Sequence, residues 1–108
     1  MNADHMMSLL TMPTGFVTSA QKRGWNAINF QVNPFSVFLI QDNWRIRFVR
    51  WGEKKYWILD KMSDNGWTEV HTLFHPGTSR LSWVLVTFSQ LINHFERMKF
   101  TNNNYDDD

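Results

Sequence analysis

The stretch WRIRFVRWGEKKYW, residues 44–57, decides the fold. It sets five cationic side chains among aromatic ones, and Gly52-Glu53 has the composition of a two-residue hairpin turn, where glycine takes positive φ without steric cost. Antiparallel partners around such a turn keep a constant index sum. Trp51 then faces Lys54, Phe48 faces Trp57 and Ile46 faces Leu59. Side-chain alternation sorts the hairpin into two faces. Trp44, Ile46, Phe48, Trp57 and Leu59 share one face, which reads as core. Arg45, Arg47, Val49, Trp51, Lys54, Tyr56 and Ile58 share the other.

The same pattern extends outward. A two-residue turn at Asp42-Asn43 adds Val37 and Leu39 to the core face and Phe38 and Ile40 to the second face. Upstream, INFQV (28–32) alternates apolar and polar residues, and Asn33-Pro34 interrupts the run. Downstream, SDNG (63–66) supplies another turn. The region from Ile28 to Phe74 is therefore predicted as an antiparallel meander of four to five strands.

After Pro76-Gly77 the period changes. Leu81, Val84, Leu85, Phe88, Leu91, Ile92 and Phe95 recur at spacings of three and four, which predicts one long helix from about Ser79 to Met98, capped by Thr78 or Ser79 and packed on one face of the sheet. A short first helix is expected over Thr14 to Arg23, ended by Gly24. The fold class is α+β.

With 108 residues, 43% of them hydrophobic, and six Trp and nine Phe, the chain has the size and apolar content of one domain with a single core. Residues 14–100 are assigned to that domain, 1–13 to a flexible N-terminal arm and 101–108 to an acidic disordered tail ending in Asp106, Asp107 and Asp108. The absence of cysteine excludes disulfides, thiolate metal sites and thiol nucleophiles, and fits a reducing compartment. The start has no basic segment ahead of its short apolar patch, so it does not read as a signal peptide, and no run approaches a membrane span. A cytoplasmic location and no membrane partner are expected.

The second face carries the functional argument. Phe38, Trp51 and Tyr56 lie among Arg45, Arg47 and Lys54, and flat rings between cations are what a single-stranded DNA or RNA requires, bases stacking while cations neutralise phosphates. These six residues form the predicted nucleic-acid site. Six of the eleven Lys and Arg fall between positions 45 and 61 although the net charge is only +1. Aromatic and Arg residues are equally the anchors of protein interfaces, so the second expectation is a small protein that binds a protein target, such as an inhibitor, immunity or anti-defence factor of a phage or other mobile element. The apolar members of this face, Phe38, Ile40, Val49, Trp51, Tyr56 and Ile58, also predict a homodimer.

Catalysis is not indicated. His71 and His75 are four apart but straddle a strand end, where they do not share a helical face as metal-binding pairs do, so no metal, cofactor or enzymatic function is predicted. Thr78, Ser79 and Arg80 form a weaker candidate anion site at the helix start. A meander closed by one helix is shared by single-strand-binding modules and by small inhibitor and immunity proteins, a likeness of fold alone.

Overall fold

The computed structural model describes residues 7–29, 37–75 and 81–106. Its elements are β1 (Met7–Leu9), α1 (Thr14–Gln21), β2 (Asn26–Asn29), β3 (Val37–Gln41), β4 (Trp44–Trp51), β5 (Lys54–Ser63), β6 (Gly66–His75) and α2 (Leu81–Asp106). The five strands β2 to β6 form an antiparallel meander in chain order, and β1 pairs with β4 as a sixth strand.

The hairpin registers follow from the turns. Gly52 takes φ 64° and Asp42 takes φ 54°, the left-handed conformation that glycine adopts freely and aspartate tolerates. With two-residue turns at both places, Trp51 pairs with Lys54, Phe48 with Trp57, Ile46 with Leu59 and Ile40 with Arg45. One irregularity breaks the pattern further on. Leu59 pairs with His71 but Asp60 pairs with Glu69, so Val70 is an extra residue in β6. This bulge reverses the alternation of the β6 residues after it relative to the register set by the Ser63–Gly66 turn.

The core lies between the sheet and both helices. Leu39, Trp44, Ile46, Phe48, Trp57 and Leu59 come from the sheet, Phe16 and Ala20 from α1, and Leu91, Ile92 and Phe95 from α2. Trp57 is its centre, stacked on Phe48 at 4.2 Å between ring centroids and tilted against Phe16 at 4.5 Å. Its indole N–H donates to His75 Nδ1 at 3.1 Å, which satisfies the one polar atom this side chain takes into the core. Glycine at position 15 lets α1 approach α2, since a Cβ there would stand 2.8 Å from the Phe88 ring. Trp25 Nε1 donates to Glu96 Oε2 at 3.1 Å and ties the start of β2 to α2.

Two sequence expectations change. Residues 7–13 are no flexible arm: β1 pairs residues 7–9 with β4, the Leu10 N–H donates to the Phe48 carbonyl at 2.8 Å, and Met12 is buried in the core. The cause is the β4 edge. β3 pairs only with residues 44–46, leaving the backbone polar groups of 49–51 to find partners elsewhere. At the other terminus α2 continues to Asp106, into the stretch read as a disordered tail, because extending an existing helix adds a hydrogen bond for each residue fixed. The side chains of Leu81, Val84 and Leu85 lie outside the described residues, as do Asp107 and Asp108.

Candidate functional site

Both helices pack on the core face, and among the described residues no element lies over the second face of the sheet. Its centre is ionic. Asp60, only 1% exposed, stands opposite Arg45 on β4. Arg45 Nε donates to Asp60 Oδ2 at 2.9 Å, with Nη2 also at 2.9 Å. Arg47 forks onto the same carboxylate, Nε to Oδ2 at 2.7 Å and Nη2 to Oδ1 at 3.1 Å. Glu69 lies beyond, 3.9 Å from Arg47 Nη2, and the Thr72 hydroxyl donates to its carboxylate. The Arg45 guanidinium also lies over two rings, 4.7 Å from the Phe38 centroid and 4.4 Å from that of Trp67.

The two ends of this face are apolar. At one end are Ile28, Met62 and the Trp67 ring; at the other are Met7, Trp51, Tyr56 and Phe74, with Trp51 45% and Phe74 51% exposed. The second end forms a cavity open to solvent, of about 420 Å³, lined by Met7, Trp51, Tyr56, Ile58, Glu69 and Thr72. Val49 and Ile58, expected among the exposed apolar residues of this face, are buried at its floor.

All six predicted nucleic-acid-site residues therefore share one face, but their surroundings differ from the expectation. Arg45 and Arg47 are partly buried and bound to Asp60, whereas Lys54 beside Trp51 is exposed. Asp60, Glu69 and Trp67 enter the site unannounced. The index sum that pairs Trp51 with Lys54 also pairs Arg45 with Asp60, so Asp60 was readable by following β5 past Leu59. Glu69 and Trp67 were readable in the same way from the SDNG turn, where Ser63 pairs with Gly66 and the constant sum then pairs Met62 with Trp67 and Asp60 with Glu69; the Val70 bulge, which has no clear signature in the sequence, instead brings Thr72 and Phe74 to this face. Thr78, Ser79 and Arg80, the candidate anion site, lie outside the described residues.

Histidines meet on the core side. His71 of β6 and His94 of α2 bring their Nε2 atoms to 2.8 Å, one ring donating and the other accepting. Among the described residues no third His, Cys, Asp or Glu joins them as a metal ligand set. Burial lowers the pKa of both, and the charges of His71 and Arg97 lower that of His94 further. His75 is lowered by burial and then by Lys55.

No helix among the described residues is long and apolar enough to cross a membrane. No protein-family model, curated protein or solved structure matches the chain.

Proposed function

We propose that the protein is a non-enzymatic binding module that docks a protein partner on the open face of its sheet. The observation carrying this reading is Asp60, whose buried carboxylate binds both central arginines. A phosphate chain draws affinity from cations whose counterions it displaces, and Arg45 and Arg47 already hold an internal anion. A protein partner makes the opposite demand. It gains from arginines and rings held rigidly, with their stacking surfaces presented and little side-chain entropy left to lose, and Arg, Trp, Tyr, Phe and Met are the residues enriched in such interfaces. A blocking role, as inhibitor, immunity or anti-defence factor of a phage or other mobile element, fits a small module of this kind.

One observation favours the nucleic-acid reading. Lys54 stands beside Trp51 on this face, Arg50 and Lys55 stand on the other side of the same turn, and none of the three forms an ion pair among the described residues, so a strand could stack on Trp51 there.

The two readings separate in one experiment. A photo-crosslinking residue replacing exposed Phe74 is expected to join the protein to one defined partner in cells of its source, and Trp51→Ala is expected to abolish that adduct. Mixed-sequence oligonucleotides, titrated across a salt series, are expected to bind only weakly. Tight, salt-dependent oligonucleotide binding that Arg47→Ala weakens, with no protein adduct, would overturn the protein-docking reading.

A further inference from the structure

We propose that the cavity at the Trp51 end of the open face takes a cationic side chain, an arginine or lysine presented by the docked protein; the proposal rests on the protein-docking reading above. The lining has the parts such a group needs. Trp51 and Tyr56 supply rings whose π faces attract cations, while Met7 and Ile58 supply apolar surface for the methylene stem. Glu69 supplies the one carboxylate of the lining among the described residues.

The state of Glu69 gives the cavity its preference. Thr72 holds one carboxylate oxygen by donating to Oε2. The other, Oε1, has no hydrogen-bond donor within reach among the described residues: Arg47 Nη2 is 3.9 Å away, and three of the five N–H groups of Arg47 go to Asp60 and Met7 Sδ, which holds its guanidinium back from Glu69. Asp60 thus takes up the arginine that would otherwise close on Glu69. Lys54 stands across from Trp51 and is not part of the lining. An oriented carboxylate with a spare acceptor, beside two ring faces, matches a guanidinium or ammonium group. An anion would meet Glu69 directly, and a neutral side chain would strip water from the carboxylate without replacing its hydrogen bonds.

The test uses three capped tripeptides, with arginine, lysine or norleucine at the centre and alanine on either side, titrated into the full chain while the Trp51 indole N–H resonance is followed. Saturable shifts are expected with the arginine or lysine peptide, and binding of the norleucine peptide about tenfold weaker, the factor that one cation–π contact and one carboxylate supply together. Glu69→Gln is expected to remove most of that difference and to leave the melting temperature unchanged, since Glu69 is 46% exposed. Trp51→Ala is expected to weaken every peptide. Equal binding of the norleucine peptide, or undiminished cation preference in Glu69→Gln, would overturn the proposal. If the peptides fail while crosslinking at Phe74 still captures a partner, the cavity assignment alone falls; if both fail, the docking reading falls with it.

Discussion

Trp57 and Trp51 are six positions apart on one hairpin and point to opposite sides of the sheet. Trp57 is fully buried against Phe48 and Phe16, so Trp57→Ala is expected to cost about 3–5 kcal/mol, whereas Trp51→Ala, at an exposed site, is expected to cost less than about 1 kcal/mol. Denaturant melts of the two variants check the assignment of faces. Asp60 offers a sharper contrast, because it is buried while both its arginine partners keep some access to water. Asp60→Asn leaves two cations without their anion and is expected to cost about 3 kcal/mol, at the lower end for a broken buried ion pair. A melt showing almost no change would mean that the arginines are solvated and available, and would shift weight back to nucleic acid. The residues of this hairpin were legible in the sequence because one glycine fixed the turn and the index sum did the rest. Asp60, one residue past Leu59 on β5, is the group that changes the meaning of Arg45 and Arg47.

At the level of elements, β6 is fastened to the core through histidines. His71 meets His94 across the β6–α2 interface, and His75 Nδ1 accepts the Trp57 indole N–H, which requires that nitrogen to be unprotonated. Among the groups around them, Lys55 on β5 lies beside His75 and Arg97 on α2 acts on His94, both disfavouring a further positive charge. Folded-state pKa values below the ordinary 6.5 mean that the unfolded chain binds protons first. The stability from these contacts is therefore fully present above about pH 6.5 and is lost as pH falls below it toward the folded-state values. Melts between pH 7.5 and about 5 are expected to show falling stability, with a shallower slope in His94→Gln. Equal slopes in parent and variant would remove His94 from the account. The strands with period two and the helix with period 3.6 were visible from spacing alone. β1 was not, because three residues carry no period and their partner strand lies far along the chain. Nor was the bulge, whose extra Val70 turned Thr72 and Phe74 to the second face and His71 and Leu73 to the core side, the reverse of what alternation from the SDNG turn gives.

Among the described residues the molecule is a sheet with helices on one side and exposed apolar groups on the other. Exposed Met7, Trp51 and Phe74 at one end and Ile28 and Met62 at the other bracket a centre holding both signs of charge. Such a patch can complement itself across a twofold axis, and a homodimer is expected to appear in sedimentation equilibrium at micromolar concentrations. If this face forms the contact, Trp51→Ala should shift the protein toward monomer; a parent that is monomeric throughout would leave the face to a different protein. The pairing of β1 has a further consequence, for the order of synthesis. Its three residues are made before the strand that receives them, which lies forty or more positions downstream. A nascent chain therefore carries β1 without a ladder until the β4–β5 hairpin has emerged. Until residues 7–9 pair with it, the half of β4 beyond β3 is an unguarded border to which another nascent chain can attach, and their pairing closes it.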